Sequence, residues 1–106
     1  MRKYHHIGIP TDLPRAGESY LPELKTFHSG FETSPYGIEW MRFGPGCPLP
    51  ELVRKVPHVA FEVDNLAAEI AGREVIIPPN SPSPGVTVAF IVDNGAPVEF
   101  LEFRRK

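Results

Sequence analysis

The 106-residue chain is predicted to fold as a mixed α+β domain of two related halves, β-α-β-β-β in the second and abbreviated in the first. The first observation behind this is a degenerate internal repeat. His6-Ile-Gly-Ile-Pro-Thr-Asp12 returns 52 positions later as His58-Val-Ala-Phe-Glu-Val-Asp64. Gly37-Ile-Glu39-Trp-Met-Arg-Phe43 returns 60 positions later as Pro97-Val-Glu99-Phe-Leu-Glu-Phe103. A repeat of this kind dictates architecture, because each copy is one supersecondary unit. The second observation is a series of short β-branched and aromatic runs. The third is proline: 13 residues, well above the usual frequency of about 5%, placed where the hydrophobic pattern breaks and so acting as punctuation.

Taken in order, Tyr4–Ile9 is predicted as a strand stopped by Pro10. Residues 10–22 hold Pro10, Pro14, Gly17 and Pro22, which argues against a long helix. Leu24–Gly30 alternates moderately and is read as a second strand. A turn at Ser34-Pro-Tyr-Gly37 leads into a stronger strand, Ile38–Phe43. After the loop at Gly44–Pro48, Pro50–Val56 is predicted to make two helical turns, with Pro50 near a permitted first-turn position. His58–Val63 is a strand, and Asp64 or Asn65 caps a helix to about Ala71 that Gly72 ends. Glu74–Ile77 is a strand stopping at Pro78, and Asn80–Gly85 is a proline-stiffened loop. Val86–Val92 and Val98–Phe103 are strands joined by the tight-turn signal Asp93-Asn-Gly95. The expected organisation is one domain, 1–106, with modules at about 1–46 and 57–106 joined by a short helical linker.

Composition narrows the function. A formal charge of −2 and a pI of about 6.1 leave no basic footprint for nucleic acid. No apolar run approaches the roughly 18 residues of a membrane helix, and the N-terminal sequence has no secretory apolar region, so a cytoplasmic location is expected. The one cysteine, Cys47, sits in a turn-like Pro-Gly-Cys-Pro setting and is read as a bystander thiol.

Strand parity selects the chemistry-bearing residues, since side chains alternate faces with a period of two. His6 shares a face with Tyr4 and Gly8; Glu39 with Met41 and Phe43; His58 with Ala60 and Glu62; Glu99 with Leu101 and Phe103. By the same parity His5, Arg42 and Glu102 point the other way and are read as surface residues. His28 is an additional polar candidate on a weaker strand. A carboxylate among apolar residues is costly unless a cation or hydrogen bonds compensate. A divalent metal supplies that compensation, and imidazole with carboxylate suits Zn, Ni, Co, Mn or Fe(II).

The series His6-Ile-Gly-Ile, Gly37-Ile-Glu39, His58-Val-Ala-Phe-Glu-Val-Asp-Asn-Leu66 and Gly95-Ala-Pro-Val-Glu99-Phe-Leu resembles the vicinal oxygen chelate superfamily. That group includes glyoxalases, methylmalonyl-CoA epimerases, extradiol dioxygenases, and bleomycin- and fosfomycin-resistance proteins. The resemblance covers nearly the whole chain and is clearer in its second half. It implies paired βαβββ modules whose curved mixed sheets enclose a pocket, with metal ligands His6, Glu39, His58 and Glu99. It further implies a lyase or isomerase of the glyoxalase or epimerase kind, moving a proton next to a carbonyl of a small oxygen-chelating substrate. Glu99 is the first choice for the catalytic base and Glu39 the second. The alternatives are a metal-free small-molecule binding protein similar to the bleomycin-resistance proteins, and a domain with a vestigial site. Glu39 follows His6 by only 33 residues, short for this group, and no arginine cluster for a bulky substrate is present. A homodimer is expected, because half-open sheets leave strand edges and an apolar face for a second subunit to cover.

Overall fold

The computed structural model describes residues 2–104. Eight strands form one strongly curled sheet, a half-barrel, with two short helices. The strands are β1 (Arg2–Pro10), β2 (Ser19–Leu21), β3 (Thr26–Ser29), β4 (Ile38–Phe43), β5 (His58–Val63), β6 (Glu74–Ser83), β7 (Val86–Asp93) and β8 (Ala96–Phe103). The helices are α1 (Glu51–Lys55), between β4 and β5, and α2 (Leu66–Ile70), between β5 and β6. Across the sheet the order is β2-β3-β4-β1-β5-β8-β7-β6. The central pairs β1/β4 and β5/β8 are parallel, while β1 and β5 run antiparallel.

The second half has the predicted β-α-β-β-β order. Asn65 caps α2 as its side-chain type favours, accepting from the Ala68 amide at 3.1 Å. Leu66 and Ile70 of α2 then press on Val63, Ala89, Ile91 and Phe100, with Phe61 and Val98 alongside. These strand residues share one face by parity. The opposite face carries Ala60, Val86, Val88 and Leu101. Burial on both faces explains why β7 is the most continuously apolar strand. Glu102, expected in solvent, instead accepts the Leu66 amide at 2.7 Å and satisfies a free donor at the start of α2. Arg42 likewise is not simply solvated: it makes a two-point contact with Glu18 at 2.7 and 2.9 Å and lies 4.1 Å over the Phe27 ring.

Two local predictions are corrected. The strand beginning at Glu74 does not stop at Pro78; β6 continues to Ser83 through Pro78, Pro79 and Pro82. It lies at the sheet edge, where a missing amide leaves no partner strand unsatisfied, and its pairing with β7 slips three times. In β1 the register shifts between Tyr4 and His6, so one extra residue, His5, is accommodated opposite β5. That bulge breaks the alternation on which the facing of Tyr4 and His5 was predicted. Tyr4, paired with Phe61, extends away from His6 and donates its hydroxyl to the Tyr36 carbonyl at 2.8 Å.

Candidate metal centre

The four predicted ligands occupy two neighbouring rows that run across the central strands. In one row Glu39 on β4 is level with Gly8 on β1, and Gly8 with His58 on β5. In the other His6 on β1 is level with Ala60 on β5, and Ala60 with Glu99 on β8. Each row places two polar side chains two strands apart, with a small residue on the strand between them. Strands two apart are separated by about 9–10 Å in a flat sheet. The curl of the sheet tips these side chains toward one another over Gly8 and Ala60.

His6, His58 and Glu99 converge fully, with one ligand atom from each within 4.8 Å of the others. Glu99 Oε1 lies 3.3 Å from His6 Nε2 and 3.2 Å from His58 Nε2. All three are buried, at 5%, 3% and 8% exposure. Glu39 stands just outside the triad, with Oε1 3.6 Å from His6 Nε2, and is more open to solvent. All four predicted ligands are therefore brought to one place within a single chain, three tightly and the fourth at its edge.

One observation on these residues fits a cation, and a second accounts for the room the ring has. Among the described residues His58 Nε2 is the one buried side-chain nitrogen or oxygen atom with no hydrogen-bond partner. It approaches Glu99 without the alignment of a hydrogen bond, and a buried polar atom left in that state is costly. A metal ion would use that nitrogen. The second is the space for the ring: a Cβ on Gly8 would lie 2.2 Å from His58 Cε1. Gly8 is therefore required by the close approach of the imidazole. Phe90 closes the far side of His58, edge to face at 4.9 Å.

The electrostatics fit the same arrangement. Burial works to raise the Glu99 carboxyl, but the adjoining His58 and His6 rings outweigh it and hold the group at about 2. Burial works to lower the His6 imidazole, and the contact with Glu99 and the charges of Glu99 and Glu39 outweigh it, so the net direction is up. Glu99 is thus held ionised, as a ligand must be.

Two further histidines complete the cluster. His5, expected at the surface, is turned by the bulge onto the site side: its Nδ1 lies 2.8 Å from His6 Nδ1, and its ring stacks on Phe31 at 5.0 Å. Its imidazole is lowered by burial and by the charge of His6. His28 on β3 places Nδ1 3.3 Å from Glu39 Oε2. All four histidines of the chain therefore meet in one cluster. Two surface clefts of about 480 and 180 Å³ lie elsewhere, the larger lined by Pro10, Asp12, Phe43 and Arg54 and the smaller by Leu21, Leu24 and Asn80.

No family model matches the chain, and no curated protein matches it. In structure it is similar to a hypothetical protein, BH1468 from Bacillus halodurans C-125, with a TM-score of 0.73 over 99% of this chain and 96% of that one. The two are 21% identical, so the likeness extends to the fold.

Proposed function

We propose that the chain is a small metal-dependent enzyme of the glyoxalase or epimerase kind, with His6, His58 and Glu99 as metal ligands and Glu39 as the fourth, outer ligand. The observation that carries this reading is the buried His58 Nε2, which makes no hydrogen bond yet faces, at 3.2 Å, a carboxylate that a second imidazole also faces. The relation between the halves supports membership of the vicinal oxygen chelate group. The sheet order divides into β2-β3-β4-β1 and β5-β8-β7-β6. In that division β1 corresponds to β5 and β4 to β8, so His6 corresponds to His58 and Glu39 to Glu99. The first module keeps the four strands and has a loop, residues 11–18, where the second has α2.

Two imidazoles with carboxylates suit Zn, Ni, Co, Mn or Fe(II). When bound, such an ion supplies a Lewis acid for a substrate oxygen. The division of labour between the carboxylates follows from their surroundings. Glu99 is enclosed by two rings and held ionised, which suits a ligand and makes it a weak base. Glu39 is the more open carboxylate and keeps an oxygen at the edge of the triad, within reach of a proton beside a substrate carbonyl. The closed surroundings of the cluster favour a small substrate.

A second reading, a metal-free binding protein, draws on the upward shift of His6: a protonated His6 neutralises Glu99 without a metal. Elemental analysis of protein purified without chelators separates the two. Close to one ion per chain, lost in Glu99→Gln, supports the metal centre. Metal-free protein that takes up no ion on reloading overturns it.

A further inference from the structure

We infer that His28 is a positioning residue for Glu39, dividing its two oxygens so that only one is offered to the metal centre. The inference rests on the metal-centre reading above and adds a residue outside the four ligands. His28 lies opposite Met41 in the antiparallel β3/β4 pair, and Glu39 is two residues before Met41 on β4. Glu39 and His28 are therefore diagonal neighbours on one face of the sheet, within reach for long side chains. Glu39 Oε2 lies 3.3 Å from His28 Nδ1, while Oε1 lies 3.6 Å from His6 Nε2. One carboxylate thus spans two imidazoles, one belonging to the triad and one outside it.

A carboxylate beside a metal ion is free to bind through one oxygen, through both, or to swing away. Its choice is set by what holds the second oxygen. Here the Glu39 side chain is 20% exposed and that of His28 31% exposed, so packing alone does not fix them. His28 is the imidazole within ion-pair distance of Oε2. Partners of this kind outside the ligand set orient the ligands and typically contribute tenfold to a hundredfold in metal affinity.

Cobalt(II) titration of the full chain tests the inference, because the visible absorption of cobalt reports the number and type of its ligands. In His28→Ala the cobalt affinity is expected to fall about tenfold, with a changed visible spectrum. His28→Asn, whose amide nitrogen takes about the place of Nδ1, is expected to restore both. In a Glu39→Gln background His28→Ala is expected to add little, as for two residues acting through one contact. A wild-type spectrum and affinity in His28→Ala overturn the role of His28 alone. Equal losses from His28→Ala with and without Glu39 intact also overturn it, since they mark a purely structural residue. Failure of the wild-type chain to bind cobalt overturns the metal centre and this inference together.

Discussion

His5 and His6 face each other through their Nδ1 atoms at 2.8 Å. In such a contact one nitrogen donates and the other accepts. If His6 is to offer its Nε2 lone pair to a metal, its proton must reside on Nδ1, and His5 must then accept. With a metal on Nε2 the neighbouring residue in sequence would thereby hold the ligand in the tautomer it needs, a task more often done by a carboxylate or a backbone carbonyl. His5→Phe keeps a ring to stack on Phe31 and removes the acceptor. The expected result is a loss of about tenfold in metal affinity, with His6 no longer held in the Nδ1-protonated form. Cobalt titration and nitrogen-15 spectra of the histidine rings measure the two effects.

The same contact marks where a sequence stops being legible. Parity placed His6, Glu39, His58 and Glu99 on strands whose curl brings them together, and it set Glu102 on the face away from Glu99, where it meets Leu66. It failed at His5 and Tyr4 because a bulge inserts one residue and resets the alternation. No local pattern announces that shift. It failed again at Pro78–Ser83, where proline reads as a strand end although an edge strand tolerates it. The link between His28 and Glu39 was hidden for another reason: it depends on which residue of β3 lies opposite Met41, a matter of strand pairing and not of either strand alone.

Gly8→Ala is expected to damage the site through space alone. The added methyl carbon would lie 2.2 Å from His58 Cε1 in a position where the ring is 3% exposed. Either the imidazole or β1 must move. Overpacking of this kind costs about 1–3 kcal/mol, and the displaced His58 loses its aim toward Glu99. Thermal melts of metal-free protein should reveal the destabilisation, and metal content the displaced ligand. An unchanged melt with full metal content would mean that the ring has room to retreat. At Gly85, where a Cβ would meet nothing within 4 Å, alanine should leave metal content intact and cost only the strain of a backbone at φ 85°.

The metal-free protein is expected to be most stable in a mildly acidic window. Glu99 is lowered from 4.5 to about 2 on folding. Its contribution is present above the unfolded value and is lost as pH falls from about 4.5 toward 2. His6 is raised above 6.5. Its contribution is complete below 6.5 and is lost as pH rises through the folded value. The two limbs belong to one charge pair, so both should flatten in Glu99→Gln. Denaturant midpoints between pH 2 and 9, measured without metal, check the shape. Stability rising steadily through neutral pH in the wild type would contradict the His6 limb.

Metal should reverse the alkaline limb, because the ion takes the place of the proton that His6 loses. Ligand that binds only the folded chain stabilises it by mass action, about 2.7 kcal/mol at a hundredfold excess over Kd. The increment should grow from pH 6 to 8 as protons cease to compete for the imidazoles. His58→Phe isolates the metal's share. It keeps a ring in the space beside Gly8 and against Phe90, and it removes a nitrogen that has no hydrogen-bond partner. In metal-free protein the change also removes the ring that does most to hold buried Glu99 ionised, so the variant is compared with its own metal-free Tm. With cobalt or zinc present, the variant should show no increase in Tm where the wild type does. A metal-dependent rise in Tm that survives His58→Phe would place the binding ion elsewhere on the chain.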